Sequence, residues 1–349
     1  MRFAISPIPI PAMASDIVTG PLLDVRGLTV VVPTRRGPCE AVSNVDFSIN
    51  EGEVVGLVGE SGSGKSVSMQ AVMGLLPRSF RVTGSIRFDG EEIYGASERR
   101  MRALRGGRIA MVFQDAMTAL NPVQTIGAQI VEMIRLHNPG LRARELRNRA
   151  ISLLTAVAIP DPERRFAQYP HEFSGGMRQR VVIAIAIAND PALLIADEPT
   201  TALDVTIQAQ IMEIFARLRS ERGIAIILIT HDLGLVAGMA DRVHVLYAGR
   251  VVESGPIESI FREPHHPYTA SLLAAVPSID DVSERLKPIP GTLPSLADRP
   301  SGCAFAPRCA IALPLCAMRE PDVARFGASN VACHRAGDQP LLSRMAAPT

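Results

Sequence analysis

At 349 residues, 47% apolar and 20% charged, the chain suits one large globular domain with an appendage, or two domains, around a sizeable core. Its 36 basic and 35 acidic residues leave a formal charge of +1, which excludes a general electrostatic pull on nucleic acid or anionic lipid. The longest apolar runs, such as VVIAIAIA at 181–188, fall far short of the roughly 20 residues that span a bilayer, so the chain itself is expected to be soluble and intracellular.

Residues 1–21 open with MRFAISPIPIPAMAS. Three prolines break up any signal-peptide core, so this stretch is expected to be a loose tail, with Met13 an alternative start. Residues 22–113 read as strand-rich. Within them EVVGLV (53–58) is a buried parallel strand, followed by GESGSGKS (59–66) and an apolar pattern at helical spacing. Strand, glycine loop and helix together make a phosphate-binding loop. Gly59, Glu60, Ser61, Gly62, Ser63, Gly64, Lys65 and Ser66 form it. The glycines let backbone amides approach the anion, Lys65 reaches the β- and γ-phosphates of a nucleoside triphosphate, and the Ser66 hydroxyl ligates magnesium.

The basic run ERRMRALRGGR (98–108) has no interleaved aromatics and reads as a solvated helical face, with no nucleic acid partner. A helical region is expected over about 115–172. FSGGMRQRVVIAIAIA (173–188) then presents Ser174, Gly175 and Gly176 at a second helix N-terminus, a second anion site. ALLIADEP (192–199) is a buried strand that ends in Asp197, suited to an outer magnesium contact, and Glu198, on the other side of the pleat and placed to polarise a water. Alternating strands and helices over 177–255 imply a parallel sheet.

The glycine loop, SGGMRQR and LLIADEPTTALD, in this order and spacing, resemble the ATP-binding cassette (ABC) family over about residues 22–260. The resemblance implies an α/β fold: a parallel-sheet core, an antiparallel β subdomain and a helical subdomain at about 115–172. It further implies that two cassettes sandwich two ATPs, each held by one subunit's glycine loop and the other's Ser174, Gly175, Gly176 and Gln179. Gln114 in MVFQDAM looks like the glutamine that meets magnesium and the attacking water and faces the membrane subunits. His231 in IAIILITHD looks like the γ-phosphate-sensing histidine, a catalytic residue beside Glu198. Asp204 in TALD looks like the loop that crosses to the partner. One departure concerns adenine: PTRRGPCEAV (33–42) lacks the aromatic residue many members stack on the base, which leaves Arg35 or Arg36 as a substitute.

Beyond residue 260 the composition changes, and the segment 261–340 carries Cys303, Cys309, Cys316 and Cys333, with five, six and sixteen residues between them. Four clustered thiols in an intracellular chain argue for a metal site before disulfides. Close pairs typical of structural zinc are missing, and the gaps differ from common ferredoxin spacings, so zinc, a cluster and free thiols all stay open on spacing alone, with His334 a spare ligand. FQDAMTALNP, PHHPYTASLLAAVP and the cysteine tail are similar to ATPase subunits of bacterial dipeptide and oligopeptide importers, although Ala116 and Ala119 stand where relatives carry Pro and Ser. That resemblance implies an energy-coupling ATPase using ATP and Mg2+, with a 4Fe-4S cluster in the tail and structural Zn2+ as the alternative. It implies a second ABC ATPase subunit, two transmembrane permeases and an extracytoplasmic solute-binding protein as partners, and a peripheral position on the cytoplasmic face of the bacterial inner membrane. Nickel or another small solute is the alternative cargo. A soluble cassette ATPase of DNA repair or translation would instead predict a coiled-coil insertion, paired CxxC zinc modules or two cassettes in one chain, none of which the sequence contains. The cysteines lie far along the chain from Lys65 and Glu198, and are expected to have a structural or sensing role apart from ATP chemistry.

Overall fold

The structure is a computed structural model and describes residues 20–114, 116–201, 203–275 and 289–337. The tail expected over 1–21 thus lies almost wholly outside the described residues, as do parts of the 261–340 segment. Alternation in LDVRGLTVVVPT sets β1 (Leu23–Thr34), with Leu23, Val25, Leu28, Val30 and Val32 turned inward; after Arg35 and Arg36 the chain returns as β2 (Gly37–Ile49). β3 (Val54–Val58) begins a different sheet, while β4 (Arg81–Phe88) and β5 (Glu91–Glu92) complete the first, an antiparallel sheet in the order β2-β1-β4-β5.

The second sheet adds β6 (Ile109–Val112), β7 (Leu193–Asp197), β8 (Ala225–Thr230), β9 (Arg242–Tyr247), β10 (Arg250–Pro256), β11 (Ala324–Phe326) and β12 (Ser329–Val331), in the order β11-β12-β10-β9-β3-β8-β7-β6. From β6 to β9 the neighbours are parallel; β10, β12 and β11 continue antiparallel. Every residue of β3, β7 and β8 is buried, which explains why these strands read as unbroken apolar runs: both faces are covered. The pleat divides their side chains between two cores. Val54, Val58, Leu194 and Leu228 meet Ile130, Ile134 and Leu153 of the helices Ile126–His137 and Ala143–Ala156; Val55, Leu57, Ile195 and Ile227 meet Val25, Val30 and Phe47 of the antiparallel sheet.

Order in the parallel part reverses around β3, which has β8 on one side and β9 on the other. Such a switch point opens a crevice at the carboxyl ends of the strands, and the glycine loop sits there. The C-terminal segment is fastened to the same sheet, with β12 pairing Val331 to Glu253 and Asn330 to Ser254 of β10. Glu253 is fully buried and its carboxylate accepts from the amides of His265 and His266 at 2.8 and 3.0 Å, which fixes the PHHPY turn. Tyr268 and Phe305 then pack with Tyr247 of β9, with ring centroids 4.6 to 5.4 Å apart. A Pro-rich extension too poor in apolar residues for its own core borrows that of the cassette.

Candidate active site

β3 ends at Val58, and the chain turns through Gly59, Gly62 and Gly64, at φ 156°, 83° and 101°, before the helix Lys65–Val72. A Cβ on Gly59 would lie 2.1 Å from the Leu246 carbonyl oxygen, so this loop closes against β9 only with glycine there. The Lys65 ammonium is 4% exposed and donates to the carbonyls of Gly59 and Glu60 at 2.7 and 2.9 Å, bridging the mouth of its own loop. Burial lowers its proton affinity, and the carboxylates of Glu198, Asp197 and Glu60 pull it back.

Across the crevice, Asp197 is the last residue of β7 and accepts from the Ser66 hydroxyl at 2.8 Å. Burial raises its pKa above the usual carboxylate value, and neighbouring Glu198 adds to the rise. A hydroxyl and a buried carboxylate are hard oxygen donors, so they fit Mg2+. Glu198 lies beyond the strand rather than on its opposite pleat: its φ of 45° is left-handed, and its amide is tied to the Ile229 carbonyl at 2.9 Å. That turn aims the side chain into the crevice. Glu198 Oε2 accepts from Gln114 Nε2 at 2.9 Å and from the Thr201 hydroxyl at 2.8 Å, and lies 3.8 Å from His231 Nδ1 at the end of β8. Lys65, Ser66, Gln114, Asp197, Glu198 and His231, drawn from positions as far apart as 65 and 231, thus meet at one place.

The second helix start stands apart. Ser174 caps the helix Gly175–Ala186, its hydroxyl accepting from the Met177 amide at 3.4 Å, and Ser174 and Gly175 are exposed. A Cβ on Gly176 would meet Ile207 at 2.7 Å. Gln179, one turn on, is turned inward at 4% exposure, with its amide nitrogen lacking a partner among the described residues. Asp204 is exposed and caps the helix Val205–Arg222 by accepting from the Ile207 amide at 2.9 Å. Of the two arginines considered for adenine, Arg36 pairs with Asp298 of the C-terminal segment at 2.9 Å, while Arg35 is exposed. Four of the five arginines of 98–108 are paired within the protein, Arg100 with Glu91, Arg102 and Arg105 with Glu98, and Arg108 with Asp89.

The ABC transporter family model matches residues 42–201, and a second, the oligopeptide/dipeptide transporter C-terminal region, matches residues 252–316. A Brucella abortus protein named a peptide import ATP-binding protein is 53% identical over 322 residues, covering 92% of this chain and 97% of its own length. This chain belongs to the ABC transporter family. It is an ABC ATPase of the peptide import ATP-binding group, and ATP and Mg2+ are its nucleotide and ion. Another protein with that name, from Brucella melitensis, is 51% identical over 317 residues, covering 87% of this chain and 94% of its own length. Among solved structures, an ATP-binding cassette dimer in a post-hydrolysis state with ADP and phosphate matches with TM-score 0.61 at 28% identity, over 67% of this chain and 98% of that one. A component of the cbiONQ ABC transporter complex of Clostridium perfringens matches with TM-score 0.60 at 30% identity, over 70% of this chain and 91% of that one.

The four cysteines of this ABC ATPase come together. Cys303, Cys309, Cys316 and Cys333 line one small cavity with His266 and His334. Burial raises the thiols of Cys303 and Cys309, and that of Cys333 to about 12, with the neighbouring cysteines adding to each rise. Among the described residues, no group of three or more His, Cys, Asp or Glu side chains is placed to hold a metal ion. The segment that carries the cysteines also reaches the nucleotide loop. Arg308, beside Cys309, forms a two-pronged ion pair with Glu60 of the glycine loop at 2.7 and 2.9 Å, and the Tyr268 hydroxyl accepts from the Glu60 amide at 2.8 Å. The sequence did hold a signal for this contact, since an acid inside a phosphate loop calls for a compensating cation.

Proposed function

We propose that this ABC ATPase hydrolyses ATP to drive import of di- or oligopeptides through a bacterial membrane complex. The observation that carries the reading is the convergence of Lys65, Ser66, Gln114, Asp197, Glu198 and His231 on one crevice of a chain that also bears the peptide-transporter C-terminal region. Lys65 turns from its loop carbonyls to the β- and γ-phosphates. Ser66, Asp197 and Gln114 would hold Mg2+, which when bound would neutralise charge on the phosphates. Glu198 Oε2, oriented by Gln114 and Thr201, accepts the proton of the attacking water, and His231 contacts the γ-phosphate. The helix start at Ser174, Gly175 and Gly176, exposed at its first two residues, serves the ATP of a second cassette, with Gln179 behind it and Asp204 facing the same partner.

Two permease subunits and an extracytoplasmic solute-binding protein complete the assembly, with this chain peripheral on the cytoplasmic face of the inner membrane. In keeping with a peripheral subunit, no helix among the described residues is long and apolar enough to cross a membrane. The chain divides into a tail at 1–21, a cassette at 22–260 and an extension at 261–340. In the extension, Cys303, Cys309, Cys316 and Cys333, one buried and three half-buried, line one cavity, and they would hold a 4Fe-4S cluster that staples the segment. Co-expression with the permease subunits tests the function. The chain should co-purify with them and hydrolyse ATP in the complex far faster than alone. An isolated chain that turns over ATP at the rate of the complex would contradict the shared site.

A further inference from the structure

Glu60 poses an electrostatic problem. It lies inside the loop that cradles the nucleotide, where an unpaired carboxylate would repel a triphosphate. The C-terminal extension answers it. Arg308 is 5% exposed at its side chain and directs both guanidinium nitrogens at the two Glu60 oxygens, at 2.7 and 2.9 Å. Its Nε donates to the Pro290 carbonyl at 2.7 Å, and its guanidinium lies 5.7 and 6.0 Å from the ring centroids of Tyr247 and Phe305. A planar fork held from behind in this way is preorganised for a carboxylate, which a lysine would not reproduce. Two further contacts bring the extension to the loop: Leu293 reaches the position a Gly62 Cβ would approach at 3.4 Å, and Arg299 donates to the Ala248 carbonyl beside Gly249. Gly249 in turn donates to the Ser63 carbonyl at 2.8 Å.

We infer that Arg308 is a positioning residue for nucleotide binding: by neutralising Glu60 and holding it away from the anion, the C-terminal extension completes the phosphate site. This rests on the reading of residues 59–66 as the ATP loop. The chain then requires its extension for ATP affinity, and the requirement runs through one ion pair.

Titration of the full chain with Mg-ATP tests it, using the wild type, Lys65→Ala, Arg308→Gln, Arg308→Lys, Glu60→Gln and the double variant Glu60→Gln/Arg308→Gln. Arg308→Gln should raise Kd about tenfold or more, the scale of stranding one member of a partly buried charge pair beside an anion. Arg308→Lys should recover part of that loss, and Glu60→Gln alone should bind more tightly than wild type. The decisive arm is the double variant, which should return to within about threefold of wild type because the repelling charge is gone. A merely structural role for Arg308 would leave the double variant as weak as Arg308→Gln, and that result would overturn the inference, as would wild-type affinity in Arg308→Gln. Thermal unfolding without nucleotide separates damage to the extension from the electrostatic effect, since Glu60→Gln cannot rebuild a lost arginine contact. If wild type and Lys65→Ala bound Mg-ATP equally, the reading of the loop itself would fall, and the clamp with it.

Discussion

Asp197 shows what a metal-holding carboxylate costs an empty fold. Burial and neighbouring Glu198 raise its pKa above the ordinary value, so the folded chain binds that proton more tightly than the unfolded chain does. Its contribution to stability is therefore greatest at low pH and is lost as pH rises through the raised pKa, leaving an ionised, unfavourable group at neutral pH. Asp197→Asn keeps an acceptor for the Ser66 hydroxyl but removes the charge. Without nucleotide it should melt higher, on the order of 2 °C, while Mg2+-dependent hydrolysis collapses; scanning calorimetry alongside a phosphate-release assay checks both. Residues of this kind were legible in the sequence because each ends a short apolar strand or a glycine loop, where local spacing alone defines the place. Arg308 was not, because its partner Glu60 is 248 positions away and nothing local in FAPRCAI marks it. The left-handed backbone of Glu198, which turns it off the strand and into the crevice, was equally invisible to a reading of pleat alternation.

Elements repeat the contrast. β3, β7 and β8 could be read as buried parallel strands because helices cover one face and the antiparallel sheet the other, so that all their positions but Asp197 and Thr230 are apolar or glycine. β11 and β12, three residues each, have no such pattern and exist only because β10 offers an edge to pair with. The helix that begins after Ser174 is a different case, since its N-terminus was legible from a cap hydroxyl and two glycines, and its exposure leaves those amides to another molecule. Ser174→Arg should leave this chain's own Mg-ATP affinity intact, because the Ser174 hydroxyl caps its own helix through the Met177 amide and is proposed to serve another subunit's ATP. It should abolish hydrolysis at the opposite site of the assembled pair. Titration of the isolated variant, set against turnover of the complex, separates these effects, and loss of binding in the isolated chain would refute a site shared between subunits.

At the scale of the molecule, the extension adds two strands to the sheet and Phe305 to the core and reaches the nucleotide loop, so the described parts of the cassette and the extension pack together. Its cysteines were legible as a group from composition, while their position behind the loop was not. Protein purified without oxygen should be brown, absorb broadly near ~400 nm and carry about four irons per chain; Cys309→Ser should bleach it and expose the extension to protease, whereas colourless protein with one zinc would contradict the cluster. The central claim, that Glu198 activates water for an ATP enclosed between two cassettes, has its most direct measurement in ATP turnover by the complex reconstituted with Glu198→Gln. Turnover should fall roughly 100-fold or more, with ATP still bound and the cassette pair trapped closed around it. Near-normal turnover in that complex would remove Glu198 from the chemistry and contradict the account.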